Sequence, residues 1–161
     1  MPTHIYVIIA LVVLGDVILF GGLWFLAAYS KANKPDNVGR GHLAGGPAKP
    51  NWVSSVTREH SRESTKLIEP LTFDGDPNLA WAAARAAVAE LPKTTIVISE
   101  RNYLHAECSS PLFGFVDDLE LKLSPNQQRI EIRSASRVGH SDMGANRKRV
   151  EQLRMMFQAR L

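Results

Sequence analysis

The chain has 161 residues, 22% of them charged, and a formal net charge of +3, which fits one compact domain plus a short additional segment and excludes a polycationic nucleic-acid binder. Apolar content of 45% with 11 Gly and 9 Pro excludes global disorder. A single Cys excludes an intrachain disulfide, and beside five scattered His it excludes a Cys-built zinc site.

Ile5 to Tyr29 is a run of 25 residues carrying one charge, long enough to cross a bilayer as a helix, and 15 of them are Leu, Ile, Val or Phe. At about −0.3 to −0.6 kcal/mol each near the bilayer centre, these outweigh the roughly 3 kcal/mol by which Asp16 opposes insertion. A cleaved signal peptide wants a basic start and an apolar run of about 7–15 residues, and this segment has neither. The expectation is a transmembrane anchor over residues 1–29. Asp16 is expected to contact a polar or basic group on a partner helix, from another membrane protein or a second copy of the chain. Gly15, Gly21 and Gly22 would allow the close backbone approach. Tyr6, Trp24 and Tyr29 fit the aromatic belts. Lys31, Lys34 and Arg40 follow the helix while no Lys or Arg precedes it, which places the rest of the chain in the cytoplasm by the positive-inside rule.

Residues 30–50 combine Gly, Pro and Ala with a net charge of +3 and no periodicity, so a flexible linker is expected there. Residues 51–161 carry a net charge of +1 and form the soluble domain. Asp76-Pro77 opens a helix, with Pro77, Trp81, Ala84, Val88 and Leu91 on one face and Pro92 stopping it. Thr94 to Ser99 reads as a strand by its β-branched content. Tyr103 to Cys108 alternates, Leu104, Ala106 and Cys108 inward. Phe115 to Leu123 turns Leu119, Leu121 and Leu123 inward and Asp118, Glu120 and Lys122 outward. Gln128 to Ser136 turns Ile130 and Ile132 inward and Arg129, Glu131 and Arg133 outward. Ser141 or Asp142 caps a last helix with Met143, Val150, Leu153, Phe157 and Leu161 as its apolar stripe. The pattern predicts an α+β fold: a two-layer sandwich of a three- to five-stranded antiparallel sheet with two helices on one face and a wet, charged face opposite. In the last hairpin, pairing Leu123 with Ile130 sets Lys122 opposite Glu131 and Glu120 opposite Arg133. A slip of two residues would oppose like charges, so the first register is expected.

Three places could carry chemistry. Arg133, Arg137, Gly139, His140, Ser141, Asp142, Asn146 and Arg147 bring arginines to a strand that runs through a glycine into a helix start, the recipe for a small-anion or small-ligand site. The competing reading is a structural turn locked by an Arg137–Asp142 ion pair, with Gly139 at positive φ. The outward face with Tyr103, His105, Glu107, Asp118, Glu120, Lys122, Glu131 and Arg133 reads as a solvated surface or a docking face before it reads as a metal or catalytic site. Cys108 points inward and reads as a core residue. No phosphate loop, Rossmann glycine pattern, HExxH or G-x-S-x-G element is present, so no catalytic residue, metal or cofactor is expected.

Pro50-Asn-Trp-Val-Ser-Ser55, Leu91-Pro-Lys-Thr94, Tyr103-Leu-His-Ala-Glu107, Phe113-Gly-Phe-Val-Asp-Asp118, the Arg133 to Asp142 stretch and Asn146-Arg-Lys-Arg149 resemble, in order, the domain of unknown function family 1499 across residues 50–157. The resemblance implies no activity, cofactor or substrate class. It implies a domain behind an export or membrane segment, which pulls against the cytoplasmic placement and leaves the side of the membrane open. Relatives resemble Pro-Asn-Cys at the domain start, where this chain has Trp52, so a thiol role at that position does not carry over.

Two functions follow as expectations. The first is a non-enzymatic, single-pass membrane accessory or assembly subunit docking on a membrane protein complex. The alternative is a small-anion or small-ligand binding module, possibly enzymatic, at the turn from Arg137 to Arg147.

Overall fold

The computed structural model describes residues 3–43, 49–56 and 64–161. Helix α1 (Thr3–Ala32) has 30 residues, about 45 Å at 1.5 Å per residue. Its apolar side chains stand open from Ile5 to Leu26, apart from half-buried Leu23, while Ala27 and Ser30 near its C-terminal end are buried.

The domain follows as β1 (Trp52–Ser54), β2 (Leu71–Thr72), α2 (Pro77–Ala89), β3 (Thr94–Ser99), β4 (Tyr103–Ser109), β5 (Val116–Ser124), β6 (Arg129–Ser136) and α3 (Ala145–Gln158). The strands lie in the order β1-β6-β5-β4-β3, with β2 also paired to β6, and every named strand pairing is antiparallel. This is the expected α+β sandwich, with a sixth short strand added. The last hairpin takes the register that its charges favour: Leu123 opposite Ile130, Lys122 opposite Glu131, and Glu120 opposite Arg133.

Asp76 caps α2 by accepting the Asn78 N–H at 2.8 Å, and Pro77 occupies the first turn, where its missing N–H costs nothing. Trp81, Ala84 and Val88 then turn inward with Ala80 and Ala87. They meet Leu104, Ala106, Cys108, Leu119, Leu121, Ile130 and Ile132 from the sheet and Val150, Leu153 and Phe157 from α3 in one apolar core. Helix α3 begins at Ala145, later than expected, because Gly144 sits at φ +80° just before it. Met143 therefore stands outside the stripe at 98% exposure, and Leu161 is also exposed.

A register shift between Ile96 and Ile98 marks a bulge in β3: Ile96 pairs with Ala106, and Ile98 with His105. Two residues of the same parity are thereby divided between the two faces of the sheet. Ile96 packs against the helical core, and Ile98 turns to the opposite face.

That opposite face is not wet. Tyr103, His105, Asp118, Glu120, Glu131 and Arg133 are all under 8% exposed. The chain leaving α1 runs across the part of this face that carries Tyr103 and Lys122. Val38 in this stretch is 2% exposed, Gly39 N–H donates to the Tyr103 hydroxyl at 3.0 Å, and Lys122 Nζ donates to the Gly41 carbonyl at 2.7 Å. Residues expected to form a flexible linker instead lie over the sheet as a strap from 33 to 43. Alternation records which side chains share a face, and it carries no information about what a distant segment lays on top of them.

Candidate functional site

Beneath the strap, β4, β5 and β6 assemble a buried ionic layer. Each strand contributes alternate residues to one face, so the antiparallel registers dictate the neighbours: His105 stands opposite Glu120, Glu107 opposite Asp118, and Glu120 opposite Arg133. Glu120 accepts from the Tyr103 hydroxyl at 2.5 Å and from Arg133 Nη1 at 2.8 Å. Asp118 accepts from His105 Nε2 at 2.8 Å and from Arg137 through Nε at 3.0 Å and Nη2 at 2.7 Å. Arg137 Nη2 also reaches Glu107 at 2.5 Å, and the Arg137 side chain is 1% exposed.

Two arginines and a histidine thus face three carboxylates, of which Asp118 and Glu120 are closed off from water while Glu107 is partly exposed. An ionised group taken out of water is retained only with close partners. Burial drives the Asp118 carboxyl upward, but the hydrogen bonds from His105 and Arg137 prevail and hold it below the usual carboxylate range. Burial likewise works against the Arg137 charge, and Asp118 and Glu107 outweigh it. Tyr103 is pushed far up by burial and by its bond to Glu120, so its phenol stays protonated. Because Asp118 is ionised, His105 donates through Nε2, and its Nδ1 has no hydrogen-bond partner among the described residues.

The layer is tied to α1. The Ser30 hydroxyl accepts the Val116 N–H at 3.0 Å and donates to the Ala27 carbonyl at 2.7 Å. The Ser30 carbonyl receives Arg137 Nη1 at 3.1 Å. Arg137 therefore joins the last turn of the long helix to the middle of the sheet. The expected Arg137–Asp142 pair does not form, because Asp118 and Glu107 lie on the strand face toward which Arg137 projects.

The residues of the expected anion site are placed close in sequence but engaged apart. Arg133 and Arg137 belong to the ionic layer. Arg147 donates to the carbonyls of Thr65 and Leu67. Asp142 occupies the helix start itself: its carboxylate accepts the N–H groups of Gly144 at 3.2 Å and Asn146 at 2.9 Å. Those amides outweigh burial and hold its carboxyl below the usual range. Ser141 accepts from Met143 N–H, Gly139 adopts φ +85° and accepts from Asn51 Nδ2 at 2.9 Å, and His140 is exposed. Asn146 is buried and bridges Ser134, Ser136 and the Asn51 carbonyl.

Around Gly15, Gly21 and Gly22 nothing lies within 4 Å of where a Cβ would stand, and Asp16 is exposed. Cys108 is 2% exposed in the core, and burial raises its thiol. Among the described residues no three His, Cys, Asp or Glu side chains are gathered to hold a metal.

Several residues of this arrangement carry no sequence signal. Ser30 and Val38 lie in a stretch without periodicity. Arg149, which donates to Asp117 at 2.6 Å and to Ser134 at 2.9 Å, was legible only as part of the Asn146–Arg149 motif. The Glu120–Arg133 contact, by contrast, follows from the hairpin register.

Tyr103–Glu107, Phe113–Asp118 and the Arg133–Asp142 stretch contribute to the ionic layer and Asn146–Arg149 lies at the start of α3, and over residues 42–157 the chain matches the family described as Protein of unknown function (DUF1499). The chain belongs to this family. No curated protein and no solved structure matches it. For DUF1499 the match begins at residue 42, so α1 and almost all of the strap precede the part of the chain shared with the family. The helix itself is long and apolar enough to cross a membrane.

Proposed function

We propose that this protein is a single-pass membrane accessory subunit, held in the bilayer by α1 and docking there on a membrane protein partner. The observation that carries this reading is Asp16. It lies near the middle of an apolar helix whose surroundings are open, and no partner for its carboxylate exists among the described residues. At the bilayer centre an isolated carboxylate costs about 2.5–3.5 kcal/mol on insertion scales, and a polar group from a neighbouring helix removes that cost. The sheet face expected as a docking surface has Tyr103, His105, Asp118, Glu120 and Arg133 buried, so it offers a partner little of its charge. The docking surface is α1, with Gly15, Gly21 and Gly22 allowing close approach.

The test is purification of the full-length chain from its native membrane in a gentle detergent, followed by mass spectrometry of what remains bound. A stoichiometric membrane protein retained by the wild type and lost on Asp16→Leu is the expected result. A monomer in both preparations would overturn docking while leaving the anchor in place.

A further inference from the structure

We infer that the β4–β5 turn, residues 110–115, is a second membrane contact that inserts shallowly beside α1 among the upper acyl chains of the lipid. The inference rests on α1 being the membrane anchor. Its starting observation is that Phe113 lies against Phe20 of α1, with ring centroids 6.2 Å apart, and Phe115 packs behind Phe113 at 6.0 Å. Leu112 at the tip is 79% exposed.

The depth follows from the helix. The hydrocarbon core takes about 20 residues of helix, and every window of that length within Ile5–Tyr29 contains Phe20. The shallowest such placement ends at Trp24, a residue suited to the headgroup boundary. Phe20 is then one turn inside, at about 6 Å by the helical rise, which matches the 5–10 Å reached by interfacial segments. A ring whose centroid is 6.2 Å from that of Phe20 lies within about one helical turn of that depth.

The turn suits that position chemically. Ser-Ser-Pro-Leu-Phe-Gly-Phe over residues 109–115 has no ionisable side chain. Unsatisfied backbone groups are excluded from the hydrocarbon, and here Ser110 N–H donates to the Phe115 carbonyl at 2.8 Å. Phe115 N–H donates to Ser110 Oγ at 3.0 Å, and Pro111 has no N–H to satisfy. Lys93 Nζ donates to the Pro111 carbonyl at 2.8 Å and is exposed, which puts a cation beside the turn, where anionic headgroups can meet it. Leu112 and Phe113 go into the acyl chains while the backbone of the tip stays at the boundary.

The experiment uses the full-length chain in phosphatidylcholine–phosphatidylglycerol vesicles, with an environment-sensitive fluorophore attached to Leu112→Cys, Leu14→Cys or Met143→Cys in turn. Cys108 is buried, so the wild-type chain serves as the blank. The Leu112 probe is expected to emit to the blue of the Met143 probe and to lose more intensity to a spin label high on the acyl chain than to one at mid-chain. The Leu14 probe should show the reverse depth preference, and the Met143 probe should be quenched by aqueous iodide alone. A Leu112 probe quenched by iodide like Met143, beside a lipid-quenched Leu14 probe, overturns the insertion and keeps the anchor. A Leu112 probe shielded from both iodide and lipid spin labels means that protein covers the turn, which also overturns it. A Leu14 probe that no lipid spin label reaches removes the anchor reading and this inference together.

Discussion

The two faces of one sheet are buried by different means. On the helical face, leucines, isoleucines and alanines meet α2 and α3, and apolar area leaving water is sufficient to hold them. On the strap face, the same strands bury His105, Asp118, Glu120 and Arg133, where leaving water is a cost that only partners offset. The first face tolerates imperfect neighbours gradually. The second depends on complete sets of partners, so loss of one group harms the others.

Arg133→Ala should break this contrast most. It takes the Arg133 guanidinium away from buried Glu120, and removing one member of a buried pair costs about 3–5 kcal/mol. Urea unfolding should show the loss, and Arg133→Met with Glu120→Leu together should recover much of it. If the double substitution is as destabilising as the single one, the layer is not held by charge pairing.

Ser30→Ala tests the joint. It deprives the buried Val116 N–H of its acceptor, a loss of about 1–3 kcal/mol, and amide exchange at Val116 should accelerate while that at Leu121 stays slow. Gly39→Ala acts on the strap from above. Gly39 sits at φ +81°, and an added Cβ would stand 2.9 Å from Ile98 Cδ1, so a cost of about 1–3 kcal/mol is expected, read as a lower thermal midpoint.

The smallest effect concerns pH. The carboxyls of Asp118 and Asp142 are held below their ordinary value of 3.8, so the folded state binds their protons less readily than the unfolded chain. Their contribution is fully present above the unfolded value and is lost as pH falls through the lowered native values. The thermal midpoint should therefore fall below about pH 4, and Asp118→Asn should flatten that decline while lowering stability at neutral pH.

Much of the helical face was legible in the residues. Asp76-Pro77 announced α2, alternating leucines marked β5, and the charges of Lys122, Glu131, Glu120 and Arg133 selected a register that the structure shows. The strap was not legible, because Val38 and Gly39 stand in a segment whose composition resembles a linker and whose partners lie over 60 positions away. The bulge at Ile96–Ile98 also left no mark, since alternation through Thr94–Ser99 reads the same with or without it. At the expected anion site the arginines and the helix start stand in the sequence, but nothing there shows that Asp142 folds back on the amides that an outside anion would need.

Ser30 has one more consequence. A hinge normally lets a tethered domain swing independently of its anchor, but here the last turn of α1 is fastened to Val116 and Arg137. The span from Ile5 to Trp24 is about 30 Å long by its rise per residue, and in a bilayer whose hydrocarbon core is thinner than that such a helix leans to fit. If α1 spans the bilayer as proposed, these bonds make the sheet lean by the same angle, so the thickness of the lipid sets the attitude of the whole domain.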